Sequence, residues 1–298
     1  MKGGTDLSEI PKDSYDGAVE NVTQLKPALV AKGITLQLYP RPDVTYIAFN
    51  MVDPVLGKNV NLRRALALTY DTATSLEKFY NNRGTAAQSP IPPGIDGYDP
   101  AFKNPWMIHN IEKAKELLKK AGYPDGKGLP VLEYSINASP TGRQMAEFVQ
   151  QCFEKIGVKV NIVTHTWPQF QDRIRNKKSQ MFGIAWNADY PDAQNMLQIL
   201  YGPNISPGPN NSNWQNKEFD KLYDQAMKTP PGPARTKIYQ KMAEIFASEM
   251  PWIPGIHRNG YSVVHGWVQN YKKNATLHGE YKYVKVDVEK KKQLKGKL

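Results

Sequence analysis

A single cysteine, Cys152, stands in a chain of 298 residues, which excludes an intramolecular disulfide and any metal site built from several thiolates. No apolar run approaches the length that crosses a bilayer, which argues against a membrane-spanning helix. The opening residues, MKGGTDLSEIPKD, lack the basic-then-apolar pattern of a signal peptide, which fits either a cytosolic protein or an exported one whose natural start is missing. Chemical motifs are equally scarce. The histidines, His109, His165, His257, His265 and His278, show no HExxH or other metal spacing, and there is no GxSxG elbow, Walker A sequence or GxGxxG fingerprint. The pattern therefore names no metal site, no cofactor and no catalytic residue. The histidines read as surface or partly buried residues. A hydrolase with a triad assembled from distant positions remains the alternative from another functional class.

Positive charge is abundant but unevenly spread. The net charge is +11, and residues 282–298 hold seven lysines against Asp287 and Glu289, so the tail supplies five of those charges. A lysine-rich end of this kind reads as a solvated, frayed terminus. With no RNP, zinc-finger or basic-zipper pattern in the chain, nucleic acid is not the expected partner.

The rest is an ordinary soluble composition, 40% hydrophobic and 22% charged, long enough for two domains or one large one. Residues 33–52 alternate apolar and polar positions around Pro40 and Pro42, which predicts two extended pieces meeting at a bend. Asn61 is expected to cap a helix carrying Leu62, Ala65, Leu66 and Leu68, and Asp71 or Thr72 a second with Leu76, Phe79 and Tyr80. The Pro- and Gly-rich stretch RGTAAQSPIPPGIDGYDPAF reads as loop. Asn110 caps a helix that Gly122 ends. LPVLEYSINA, a helix starting at Ser139 or Thr141, and VKVNIV form a strand–helix–strand unit, which allows a parallel pair with a right-handed crossover. Cys152 falls on that helix's apolar stripe and reads as a packing thiol. A short helix over 167–178, a strand FGIAWN running into ADYPD, and two helices near 219–227 and 234–248 follow; from WIPGI onward the chain reads as strands and loops. Asp189 and Asp192 flank Pro191 and suit an Asx turn. Trp167, Trp186, Tyr190, Trp214 and Tyr46 sit at strand ends or in loops, where aromatics serve either as core lids or as walls of a ligand site.

Seven blocks, in order, carry a resemblance: TYIAFNM, NVNLRRALALTYD, GTAAQSPIPPGIDGY, NIEKAKELLKKAGYPDG, AWNADYPDAQNML, NWQNKEFDKLYDQAM and ARTKIYQKMAEIFASEMPWIPGI. Together they resemble the C-terminal part of the family 5 extracellular solute-binding proteins, the peptide receptors of ABC importers. KGGTDLSEIPKDSY resembles a stretch well inside that family's length, so the chain reads as a C-terminal fragment. The resemblance implies an α/β fold, a periplasmic-binding-protein-like lobe with a mixed sheet flanked by helices, plus hinge strands of a lobe not present. It divides the chain into a hinge-proximal segment (1–45), a ligand-binding lobe (46–257) and a return segment with a basic tail (258–298). It implies clamshell capture of a solute, expected to be a peptide, in the periplasm or another extracytoplasmic space, without catalysis. The implied partners are a membrane permease and the first lobe. A nickel complex or a sugar is the alternative solute. By the same resemblance Asp189 would hold a ligand ammonium, which suits an enclosed charge that has lost its water. Trp186 and Asn187 would offer extended backbone to a peptide, with Tyr190, Tyr46 and Asn50 completing the ligand site. Some relatives carry an arginine just before the W-x-x-D block, facing a ligand carboxylate. Here that stretch is FGIA, and carboxylate recognition has no assigned residue.

Overall fold

The computed structural model describes residues 5–273 and 279–296, so His278 lies outside the described residues. β1 (Leu7–Glu9) is followed by the two extended pieces expected from the alternation, β2 (Ile34–Pro40) and β3 (Asp43–Phe49), which bend apart between the two prolines. Next come α1 (Val60–Thr69) and α2 (Thr72–Tyr80). Asp71 caps α2, accepting from the Thr74 amide at 3.0 Å. The cap of α1 is Asn59 and not the expected Asn61. Asn59 Oδ1 accepts from the Leu62 amide at 3.1 Å, while its Nδ2 donates to the Ala121 carbonyl at 2.9 Å, so a tie to a distant helix end fixes where α1 begins. The Pro- and Gly-rich stretch holds one short strand that was not expected, β4 (Gly84–Ala86).

Most of the remainder follows the expected order. It comprises α3 (Ile111–Lys120), β5 (Leu132–Asn137), α4 (Pro140–Glu154), β6 (Val160–His165), α5 (Trp167–Arg175) and β7 (Met181–Asn187). After these come α6 (Ala193–Leu197), α7 (Lys217–Lys228), α8 (Pro233–Glu249), β8 (Trp252–Pro254), β9 (Ile256–His265) and α9 (Val288–Lys295).

The central sheet has the order β8-β3-β7-β5-β6. β5 and β6 run parallel, as the crossover requires, while β3 is antiparallel to both its neighbours, so the sheet is mixed. Alternation along the strands feeds two cores. Ile47, Phe49 and Tyr134 face α1, α3 and α4 through Leu66, Leu118, Val149, Cys152 and Phe153. Val44, Tyr46, Ala48 and Phe182 face α5 to α8 through Phe170, Leu197, Phe219, Met242 and Phe246. Each fully buried side chain of this size contributes about 1.5–3 kcal/mol. Cys152 is buried in the first core, as expected, and burial pushes its thiol pKa up. Arg63 ties the first layer together from inside. It is 2% exposed and donates to the carbonyls of Leu56 and Gly57 and to those of Glu249 and Met250 at the end of α8. Burial lowers its pKa to about 10, so it stays charged at neutral pH.

A second sheet is built on β9, which pairs antiparallel with all of β2 from Asn259 to His265, with β4 from Ile256 to Arg258, and with β1. Its own small core joins Ile10, Tyr15, Ile34, Tyr261 and Val263. Two expectations fail here. His257 and His265 are fully buried, not superficial, because β9 is covered on both faces along most of its length. The lysine-rich end is helical from Val288 to Lys295. Asp287 caps it, Lys291 Nζ reaches Asp6 at 2.6 Å, and Leu294 rests beside Gly33 and Gly266.

Candidate functional site

The registers bring the C-terminal ends of β5, β6, β7 and β8 to the same end of the central sheet as the start of β3. Strand carboxyl ends are where open α/β sheets bind ligands. The strands also separate there. β5 keeps step with β6 from Leu132↔Val160 to Asn137↔His165, but with β7 only at Tyr134↔Met181 and Ser135↔Phe182. β7 meanwhile stays paired to β3 as far as Asn187. Beyond Phe182, the β5-facing edge of β7 therefore has no strand partner among the described residues.

A cavity of about 460 Å³ opens in that gap, with Ile136 and Asn137 on one side and Gly183 to Ala185 on the other. Its walls are mostly aromatic and apolar: Tyr70, Tyr80 and Tyr134, with Phe148, Met145 and Trp167. Burial raises the pKa of all three tyrosines, so they offer neutral hydroxyls. The Tyr70 hydroxyl lies 3.0 Å from Ser75 Oγ. Gly183 is required by Tyr134, whose hydroxyl sits 2.4 Å from where a Cβ would stand. Among the described residues, Arg258 is the one charged residue in the lining, and it is fixed by Asp43.

The expected ligand residues separate into three groups. Asn187 and Asp189 are exposed at the end of β7, beside Tyr190, which is 45% exposed. Trp186 and Tyr46 lie on the opposite face of the sheet. Tyr46 packs against Trp252 at 4.1 Å between ring centroids inside the second core, and the residue also borders the cavity. Trp186 alternates out of step with Ala185 and Asn187, so its ring packs against that same second core, and its Nε1 donates to Asn195 Oδ1 at 3.0 Å. Asn50 is a correction. It is buried, donates to the Lys177 carbonyl at 3.0 Å and accepts from Asn213 Nδ2 at 3.0 Å, which ties loops together at the other end of β3.

Asn195 was not anticipated. It is 1% exposed on α6, a helix too short to show a period in the sequence. Its Oδ1 accepts from Trp186 Nε1 and from the Asp189 amide at 3.2 Å, and its Nδ2 donates to Asp189 Oδ2 at 3.1 Å. One side chain thus fixes both the ring and the carboxylate of the W-x-x-D block. Asp192 is structural. It caps α6, receiving the Gln194 amide at 2.9 Å and the Tyr239 hydroxyl at 2.9 Å, and it pairs with Arg235. Tyr190, Gln194 and Tyr223 form a hydrogen-bonded chain that continues as the Tyr201–Tyr223 stack at 4.2 Å. Among the described residues no three of His, Cys, Asp and Glu gather as a metal site.

Residues 11–208 match the family model described as bacterial extracellular solute-binding proteins, family 5 middle. The chain belongs to this family. It is 32% identical over 250 residues to the heme-binding protein A of Haemophilus influenzae, covering 82% of this chain and 45% of that protein. It is 28% identical over 243 residues to the dipeptide-binding protein of Escherichia coli K12, covering 80% of this chain and 45% of that protein. Among solved structures, HbpA2 from Haemophilus parasuis aligns with a TM-score of 0.77 at 30% identity, over 90% of this chain and 53% of that one. The Helicobacter pylori periplasmic binding protein DppA, in complex with the peptide STSA, shares the fold at a TM-score of 0.76 and 23% identity. The chain thus spans about half the length of the family 5 relatives it matches.

Proposed function

We propose that this chain forms one wall of a clamshell that captures a peptide-like solute outside the cytoplasm and presents it to an ABC-importer permease, without chemistry of its own. The observation that carries this reading is the free edge of β7 along the cavity. An extended peptide laid against 183–187 gains main-chain hydrogen bonds as an added strand, and its side chains enter an aromatic cavity. Asp189, exposed at the end of that edge with one oxygen held by Asn195, suits the solute's ammonium. The facing wall is a second lobe, so residues 46–257 act as the ligand-binding lobe. Residues 1–45 and 258–298, which supply most of the separate sheet on β9, act as the hinge side.

The test is an NMR titration of the chain with the dipeptide Ala-Phe and its N-acetylated form. Saturable shifts of the amides from Gly183 to Asp189 are expected with Ala-Phe. Asp189→Asn should weaken Ala-Phe by about 1.5–3 kcal/mol, the size of a hydrogen bond to a charged group, and leave the acetylated peptide nearly unaffected. Equal losses for both peptides would remove the ammonium role, and shifts confined to other surfaces would remove the strand-addition reading. The heme-binding relative favours one second reading, a flat aromatic solute seated among Tyr80, Phe148 and Trp167. Saturable hemin binding that displaces Ala-Phe would support it.

A further inference from the structure

We infer that Arg258 is the residue that selects the carboxylate end of the solute. This rests on the peptide reading above and assigns a contact that reading leaves open. No basic residue stands in the FGIA stretch before Trp186, and at Gly183 the Tyr134 hydroxyl occupies the space a side chain would need. The anion contact must come from another element. Arg258 lies on β9, where the return strand passes the cavity, and among the described residues it is the one charged residue lining it.

The geometry separates Arg258 from an ordinary structural ion pair. Asp43 beneath it is fully buried, while the Arg258 side chain is 33% exposed. Its Nε and Nη2 both go to Asp43 Oδ2, at 2.7 and 2.6 Å, and its own amide donates to Oδ1 at 3.1 Å. Nη1 has no hydrogen-bond partner among the described residues. The guanidinium is therefore held by one edge, with Nη1 left over on a residue that lines the cavity. A planar fork fixed in this way loses little freedom when it meets a carboxylate. The Tyr80 hydroxyl lies near enough for the Arg258 charge to oppose the rise that burial gives its pKa, which places a neutral donor beside the cation. With aromatic walls beside it and two thirds of its own surface covered, a charge–charge contact at Arg258 counts for more than one on a fully open surface.

The experiment compares Ala-Phe with Ala-Phe-amide, which share an ammonium and a side chain and differ at the carboxylate. Binding to the whole chain is followed by NMR titration. About tenfold preference for the free acid is expected, as for one charge-assisted contact, together with a shift of the Arg258 Nε–H resonance. Arg258→Gln should bring the ratio to about one, and Arg258→Lys should restore part of it. Because Arg258→Gln leaves the Asp43 carboxylate buried without its partner, the double variant Asp43→Asn/Arg258→Gln is measured beside it, with a thermal melt of each. Equal binding of acid and amide by the unaltered chain, or a preference that persists in the double variant, overturns the assignment but leaves the peptide reading standing. Failure of both peptides to shift the Gly183–Asp189 amides of the unaltered chain at about 10 mM removes the strand-addition contact proposed for this wall, and this inference with it.

Discussion

Asn195→Ala is the most informative single change, because one buried side chain fixes the loop that carries Asp189. Three hydrogen bonds disappear together, to Trp186 Nε1, to the Asp189 amide and to Asp189 Oδ2. An average bond contributes about 1 kcal/mol net, and a buried group left unpaired costs about 1–3 kcal/mol. Asp189 is exposed, so water replaces part of what it loses, whereas the half-buried Trp186 nitrogen is harder to reach. The expected destabilisation is about 2–3 kcal/mol. In a chain of this size that corresponds to a fall in Tm of about 4–10 °C. Calorimetry measures the fall, and Trp186 indole exchange reports whether the Nε1 hydrogen bond is lost. Asn195→Asp is the matched control. It keeps both acceptor roles but sets a second carboxylate against Asp189, so its deficit should shrink as the pH drops toward 4. A melt within about 1 °C of the unaltered chain for Asn195→Ala would refute the clamp.

Two further outcomes follow from buried groups. Arg63→Met should destabilise by about 3–5 kcal/mol in urea unfolding, since it strips the donors from four carbonyls in one step; a loss below about 1 kcal/mol would show that those carbonyls find other partners. His257 is 2% exposed with Nδ1 at 2.8 Å from the Asp43 carbonyl, and burial lowers its pKa to about 4 against 6.5 when unfolded. The unfolded chain thus binds more protons between those values. Stability from this group is complete above pH 6.5 and falls by roughly 3 kcal/mol as the pH drops to 4. Urea midpoints measured from pH 7 to 4 should show this slope and lose it in His257→Gln, and an unchanged slope in that variant would place the titration elsewhere.

Helix starts are legible in the sequence wherever a short polar side chain precedes an apolar stripe, as at Asp71, Asn110 and Ser139. Asn61 misleads because Asn59 has the same chemistry two residues earlier, and only its contact with Ala121 decides between them. The lysine-rich end misleads for a different reason. Asp287 and Leu294 are the only local signs of a docked helix, and its anchor, Asp6, lies at the other end of the chain. The W-x-x-D block is visible as sequence, but which of its side chains meets the cavity depends on strand parity. One position of register decides that Trp186 packs behind the sheet while Ala185 and Asn187 face forward. Arg258 carries no local signal, since an arginine in an alternating strand resembles any solvent-facing residue.

The splayed strands also determine which contacts set affinity. Had β5 and β7 stayed in register, the main-chain groups of 183–187 would be satisfied within the sheet and no solute could join it. Their separation leaves the β5-facing half of those groups without a strand partner, and a peptide strand there exchanges hydrogen bonds to water for hydrogen bonds to the sheet at a net gain of only about 1 kcal/mol each. Such bonds accept any sequence. Burying one large apolar side chain among Tyr70, Phe148 and Trp167 adds about 1.5–3 kcal/mol, and it too discriminates weakly between similar residues. Strong discrimination requires fixed polar groups that an incorrect solute leaves unpaired. At this end of the sheet those groups are Asp189, set by Asn195, and Arg258, set by Asp43. The register sets Asp43, which holds Arg258, opposite Asn187, two residues before Asp189. On the proposed reading, the β7 edge and the cavity give general affinity for extended solutes, and the two charged groups decide which solutes are kept.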